Sequence, residues 1–307
     1  MKEQLTAAPV SVVIPTFRRG DVLAATLDVL RQCQPLPDEI LVMIDFGDRE
    51  TRPSLEARYP EVQWMEASKR LGPGGARNML IARAKHSCLV SLDDDSYPID
   101  MDFFAVVAEL FRVHAEAGII AAGAIVHDGE PLPPTGRAMV FATEFVGCGA
   151  AVRREAFLET RGYLPLELGY GAEEVDVSLQ LLDKGWTILK SDAMRIRHRT
   201  SRAHQAAPDI TSAHISNIAL IGYLRYPPVL WPLAVLQVGR RVLWSLRNGR
   251  SAGVLSSLAR IPRHLWQHRF ARAPVRMRAV FGSRRRRVKK PVARHDSIEA
   301  RSSAPCS

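Results

Sequence analysis

Asp93-Asp94-Asp95 closes a short apolar run at residues 88–92. Three adjacent carboxylates repel one another, and a divalent cation would relieve the repulsion. Mg2+ and Mn2+ suit such an oxygen-rich site because they keep coordination positions for water and for substrate phosphates. The alternative is a solvated acidic turn. Upstream, Gly72-Pro73-Gly74-Gly75-Ala76-Arg77-Asn78 leads into a helix expected over about residues 76–84. Free backbone N–H groups and the Arg77 cation would face one crevice there and favour an anion, although the same glycines also suit a plain turn. The loop matches neither G-x-G-x-x-G nor G-x-x-x-x-G-K-[ST], which argues against a dinucleotide fingerprint or a P-loop.

The elements around these residues alternate apolar runs with amphipathic stretches, the signature of strand-helix-strand units around a largely parallel sheet. Runs at residues 10–14, 40–44, 62–65, 88–92 and 119–126 predict strands. Asp21 can cap a helix whose apolar face is Val22, Leu23, Thr26, Leu27 and Leu30, and residues 103–117 and 173–184 predict two more. Ligands of open α/β sheets bind beyond the carboxyl ends of the strands. Pro15-Thr16, Asp45, the 72–77 loop and the Asp93 triplet all fall at such ends.

Composition bounds the rest. A chain of 307 residues, 47% hydrophobic and 24% charged, has enough apolar material for a packed core, which excludes disorder, collagen and a disulfide scaffold. Cys33, Cys88, Cys148 and Cys306 are scattered without C-x-x-C spacing, so neither a disulfide framework nor a zinc cluster is expected and a reducing compartment is the default. The N-terminus reads as a lead-in to a first strand, not a signal peptide, and no stretch approaches the roughly 18 apolar residues of a spanning helix. The formal charge of +10 is unevenly spread. Residues 210–295 hold eighteen Lys or Arg and no Asp or Glu, whereas the remainder holds 24 basic and 32 acidic residues. A mildly acidic body therefore carries a strongly basic C-terminal third.

Six ordered segments together resemble the family 2 glycosyltransferases of the GT-A fold: Val10-Ser11-Val12-Val13-Ile14-Pro15-Thr16-Phe17, Glu39 to Asp45, Gly74-Gly75-Ala76-Arg77-Asn78, Val90-Ser91-Leu92-Asp93-Asp94-Asp95-Ser96, Val146 to Arg154, and Gly171-Ala172-Glu173-Glu174-Val175-Asp176 with its continuation to Leu181. The resemblance covers roughly residues 9–200. It implies a Rossmann-like, mostly parallel sheet flanked by helices, and inverting transfer of a sugar from a nucleotide diphosphate donor to an acceptor hydroxyl. By the same resemblance Pro15, Thr16, Phe17 and Asp45 would cradle the base and ribose, and Arg77 would contact the nucleotide. Asp93 and Asp94 would hold the ribose and orient the site, while Asp95 would coordinate a Mg2+ or Mn2+ ion bridging the phosphates. Where the family carries an acidic pair ending in Asp, this chain has Glu173-Glu174. The resemblance places the general base at Glu174, with Glu173 as the competing choice, and the bland reading is helix N-terminal charge complementing the dipole. Asp176 falls on another helical face and reads as structural. His198 either completes the metal or diphosphate site or is an exposed histidine at a basic strand end.

The expected organisation is an α/β catalytic domain over residues 1–205, an amphipathic basic helical extension over 206–282 and a basic disordered tail over 283–307. In the extension, apolar residues alternate with Arg, as in residues 218–226, Val242-Leu243-Trp244, Leu265-Trp266 and Phe270. Such helices suit either an anionic membrane surface or a cap packed on the body. The combined expectation is a glycosyltransferase of cell-envelope glycan, polysaccharide or glycolipid synthesis, peripheral on the cytoplasmic face of a membrane, with a glycan or lipid-linked acceptor. Two other readings explain less. A nucleotidyltransferase would show a first loop rich in Gly and Arg with a signature Lys in place of Ile14-Pro15-Thr16-Phe17. A nucleic-acid binder using the Arg-rich end leaves Asp45, Asp93 to Asp95 and Glu174 unexplained.

Overall fold

The computed structural model describes residues 7–166, 171–200 and 207–286. Its first half is a strand-helix alternation: β1 (Ala8–Thr16), α1 (Gly20–Leu30), β2 (Pro37–Ile44), α2 (Thr51–Leu55), β3 (Val62–Glu66), α3 (Gly72–Arg83) and β4 (Cys88–Ser91). Next come β5 (Ser96–Pro98), α4 (Phe103–Val113), β6 (Ala117–His127), β7 (Met139–Phe141), β8 (Ala150–Arg153), α5 (Arg154–Leu158), α6 (Glu173–Lys184) and β9 (Thr187–His198). All nine strands join one sheet in the order β3-β2-β1-β4-β8-β6-β9-β5, with β7 also on β9. β1 to β4 run parallel to one another, and so do β6 and β9; β8 runs antiparallel between β4 and β6.

The β-branched run of β1 shows why this sheet forms. Val10, Val12 and Ile14 point to the core that holds Leu23, Leu27, Phe103 and Val107, while Val13 points to the one that holds Leu80, Phe157, Val177 and Leu181. A strand covered on both faces reads as a near-continuous apolar run, and the buried hydroxyl of Ser11 within β1 donates to Glu39. Helices α1 and α4 thus cover one face, and α3, α5 and α6 the other.

Pairing Thr16 with Ile44 and Val13 with Ser91 brings three parallel strand ends to one edge. β5 returns antiparallel along β9 with Ser96 opposite His198, which lays the acidic triplet against the end of β9.

Two boundaries differ from expectation. Gly72-Pro73-Gly74-Gly75 is the first turn of α3, not a loop before it: Pro73 sits where a helix start has no N–H bond to lose, and a Cβ at Gly74 would stand only 3.0 Å from Tyr163 Cβ. Helix α4 ends at Val113 because the chain must turn back into β6 at Ala117.

Beyond β9 lie α7 (Pro208–Arg225), α8 (Trp231–Arg247), α9 (Val254–Gln267) and α10 (Met277–Arg286). Residues 218–226 suited either a membrane surface or a cap packed on the body, and the structure packs them as a cap: α7 is buried on nearly every side. Ile215, Leu220, Leu224 and Arg225 itself are 1% exposed or less. α8 packs on α7 where Gly222 admits Ala234, and α10 joins Ala279 and Val280 to Leu179 and Ile221. Arg225 bonds bidentately to Asp176 of α6, with Nη2 3.0 Å from Oδ2, and Gln180 Nε2 donates to the same oxygen at 3.1 Å. Asp176 is therefore a structural residue, and the helical extension is bolted to the body. α10 reaches Arg286, four residues into the stretch expected to lack structure, because its buried first turns let the helix propagate; residues 287–307 lie outside the described residues. Among the described residues no helix is long and apolar enough to cross a membrane.

Candidate active site

Asp94 is buried at the sheet edge. Its Oδ2 accepts from Thr16 Oγ1 at 2.8 Å, its Oδ1 from Arg19 Nη1 at 2.7 Å and its carbonyl from Thr26 Oγ1 at 2.7 Å. Burial pushes its pKa up to about 6 against the pull of Arg19 and Thr16. Asp95 shares the arginine: Arg19 Nη2 donates to Oδ2 at 2.8 Å, and His198 Nε2 lies 3.1 Å from Oδ1. Burial alone would raise Asp95, but the bonds from His198 and Arg19 outweigh it and hold the carboxyl below its usual range. His198 responds in kind: desolvation disfavours its charge, yet Asp95 and Asp93 outweigh that and raise its pKa.

Asp93 is held from the other side by Arg77, which is buried, donates Nε to Ser91 Oγ at 2.9 Å and pairs through Nη2 with Asp93 Oδ1. Burial works against the Arg77 charge, and Asp93 with its neighbouring carboxylates outweighs it. Asp93 Oδ2 lies 3.7 Å from His198 Nε2, so the triplet spreads its carboxylates toward three different partners.

Asp45 has a task in the apo fold. Its Oδ1 accepts from the N–H groups of Phe46 and Leu71, both at 2.8 Å, and its Oδ2 from Gly72 N at 3.0 Å. It thereby ties the end of β2 to the start of α3. Pro15 is half-buried and Phe17 is exposed with the Arg18 guanidinium over its ring.

Across the crevice, Gly171 and Ala172 both take left-handed backbone angles, φ 89° and 74°, before α6 begins. The conformation costs a non-glycine residue about 1–2 kcal/mol, and it places Glu173 and Glu174 at the helix start. Glu174 Oε1 accepts from Gly147 N at 3.0 Å. A Cβ at Gly147 would stand 2.9 Å from that oxygen and 3.5 Å from Arg77 Cζ, so Glu174 and Arg77 flank the same glycine. Burial raises the Glu174 pKa, partly offset by Arg77 and the Gly147 N–H. Glu173 Oε2 is buried with no protein partner, and burial together with Glu174 pushes its pKa up to about 8. The Tyr163 hydroxyl is likewise buried and unpartnered.

A carboxyl with a raised folded-state pKa is stabilising while protonated. That contribution is complete below the unfolded value of 4.5 and is lost as pH rises toward 8. Glu173→Gln keeps the neutral form at every pH, so its melting temperature relative to the native chain should be higher at pH 8 than at pH 5, as scanning calorimetry at both pH values will show.

The donor set fits a divalent cation. Asp93, Cys148 and His198 each offer one ligand atom within 4.8 Å of the others, and Asp95 stands beside His198. The carboxylate oxygens suit Mn2+ or Mg2+, and the imidazole and the thiol add softer donors. The structure thus brings together the residues expected on the metal, Asp95 and His198, and adds Asp93, which was expected on the ribose. Sequence reasoning missed Arg19, Cys148 and Tyr163. Arg19 lies three residues past a strand end, so the strand-end rule could have reached it. Tyr163 reads as core, and no local pattern singles it out.

Residues 11–137 match the family model of Glycosyl transferase family 2. No curated protein matches the chain by sequence. Among solved structures, similarity extends to S. aureus TarS 1-349 in complex with UDP-GlcNAc, at 15% identity and TM-score 0.60 over 86% of this chain and 81% of that one. The mannosyltransferase PcManGT from Pyrobaculum calidifontis in complex with GDP-Man and Mn2+ is 15% identical, TM-score 0.54, over 92% and 87%. GalNAc-T7 with UDP, GalNAc and Mn2+ is 17% identical, TM-score 0.58, over 74% of this chain, which spans about half the length of that one, 49%. At these identities the likeness speaks for the fold: residues 11–137 match the Glycosyl transferase family 2 model, and the mostly parallel sheet with its flanking helices is a GT-A fold.

Proposed function

We propose that the chain moves a sugar from a nucleoside diphosphate donor to an acceptor hydroxyl with inversion at the anomeric carbon. The observation that supports this reading best is the position of Glu174, which flanks Gly147 together with Arg77, the residue that holds Asp93. Diphosphate-binding groups and a candidate base thus face one crevice. Base and ribose lie along Pro15, Thr16, Phe17 and Asp45. Arg77 and Asp94 shape the site, and Asp95 and His198, with Asp93 in reach, hold a divalent cation. When bound, that cation supplies charge neutralisation on the departing diphosphate. The acceptor oxygen attacks C1 as its proton passes to Glu174, and the C1–O bond to the diphosphate breaks with the electron pair leaving on that oxygen. Glu173 Oε2 and the Tyr163 hydroxyl are buried without a protein partner, and an unmade buried bond costs about 1–3 kcal/mol. NMR assignment of the product anomer tests inversion, and retention of configuration would overturn it.

The named donors of TarS and PcManGT make UDP- and GDP-sugars the first to try. Asp95→Ala should weaken Mn2+-dependent binding of UDP or GDP and lower transfer by about 10²-fold or more. Titration calorimetry with and without Mn2+ reads the first effect, and unchanged Mn2+ dependence would remove Asp95 from the cation site. The acceptor we infer is a membrane-borne glycan or lipid-linked sugar of envelope, polysaccharide or glycolipid synthesis, met on the cytoplasmic face.

A further inference from the structure

Among the described residues nothing packs on the outward faces of α8 and α9, and their chemistry is unusual for a surface. At 100° per residue, Trp231, Val235, Gly239, Leu243 and Leu246 of α8 fall within less than half of the helix circumference, and Val235 is 71% exposed. No charged residue enters that arc; Arg240 and Arg247 stand at its edge. The inward side instead carries Ala234 and Ser245, both buried. On α9 the same holds for Leu255, Leu258, Ala259, Pro262 and Trp266, with Leu255 82% and Trp266 66% exposed and Arg263 at the rim. Just beyond, Phe270 is 83% exposed, and the Arg269 guanidinium lies 3.8 Å from the Trp266 ring centroid and 4.2 Å from that of Phe270. Arg241 stacks likewise on Trp244 at 4.4 Å. Each helix thus pairs an apolar, uncharged outer arc with arginines at its edge, and residues 210–295 hold no Asp or Glu to offset them.

We propose that α8, α9 and the Trp266–Phe270 segment form one docking face for an anionic lipid bilayer, the apolar arcs entering the headgroup and acyl boundary while the arginines meet lipid phosphates. This deepens, and rests on, the membrane placement proposed above. The pattern distinguishes the occupant. A nucleic acid would want cations at the centre of its footprint, whereas here cations rim an apolar centre, as in helices that lie in a membrane interface. With no spanning helix among the described residues, the face lies on the bilayer. The Arg225–Asp176 bond and the bond from Asn217 Nδ2 to Gly171 O, at 3.0 Å, then join α7, against which α8 and α9 pack, to the segment that carries Glu173 and Glu174.

The test uses the full chain with vesicles of phosphatidylcholine alone and of equal parts phosphatidylcholine and phosphatidylglycerol, read by co-sedimentation. Binding to the anionic vesicles, weakened by salt and accompanied by a blue shift of tryptophan emission, is expected. Leu255→Asp combined with Trp266→Glu, both at exposed positions that leave the core intact, should weaken that binding at least about tenfold. The proposal fails if the native chain stays in the supernatant, if neutral vesicles bind it equally, or if the double variant sediments as the native chain does. It fails also if the same variant abolishes RNA binding or dissociates a dimer in lipid-free buffer, since those results assign the face to nucleic acid or to a second copy. A nucleotide-induced thermal shift recorded on the same samples reports the donor site, so loss of docking with that shift intact leaves the transfer reading standing.

Discussion

Glu174→Gln should lower sugar transfer by about 10²–10⁴-fold while leaving the thermal shift induced by donor nucleotide in place. The amide keeps the shape and can still sit beside the Gly147 N–H, but it cannot take the acceptor's proton. The contrast with Glu173→Gln carries the assignment. Burial raises the pKa of both carboxyls, Glu173 up to about 8 with Glu174 adding to it, while Gly147 N–H and Arg77 favour the ionised form of Glu174. A base must be ionised, so transfer should rise with pH through the ionisation of the pair. Glu173→Gln leaves Glu174 and its partners in place, so it should keep activity within about tenfold of native. Activity in Glu174→Gln equal to that of the native chain would remove it from the base role, and loss in Glu173→Gln alone would move the role to that residue.

Arg225→Ala should cost about 3–5 kcal/mol and lower the melting temperature by roughly 6–20 °C. Arg225 is 1% exposed and Asp176 fully buried, so the variant strands a carboxylate in the interior with only Gln180 beside it. Burial already raises the Asp176 pKa against the pull of Arg225. Without the arginine it rises further, so the protonated form is favoured and the deficit should shrink as pH falls. Asp176→Leu combined with Arg225→Met leaves no unpaired charge and should recover most of the loss. Calorimetry of the three variants reads all of this. Equal stability of Arg225→Ala and the native chain would show that the pair does not bolt the helical extension to α6.

What was legible in the sequence had a local cause. The runs at 10–14, 40–44 and 88–92 are apolar but for Ser11 and Ser91 because both faces of those strands are covered, and that pattern also marks where the strands end. Pro15, Asp45 and Asp93 to Asp95 could be placed at one edge on that ground alone, whereas the acidic pair at the head of α6 was singled out by the family resemblance, with period giving only the helix. The charge asymmetry of the C-terminal third is likewise a property of composition.

The partners of those residues were decided by the tertiary structure. Arg19 meets Asp94 and Asp95, 75 and 76 positions away, only because β1 lies beside β4. His198 reaches Asp95 because β5 turns back along β9. The glycines at 72–75 looked like a loop because composition cannot tell a turn from a helix start that must let Tyr163 pass close. For residues 218–226 the sequence left a membrane surface and a packed cap both open for a similar reason: periodicity shows that a face is apolar, while only the packing of α6, α8 and α10 around α7 shows that Arg225 is inside and paired. Local chemistry and period thus determined the strands, their ends and the candidate carboxylates, and sheet order with helix packing decided which carboxylate faces which cation.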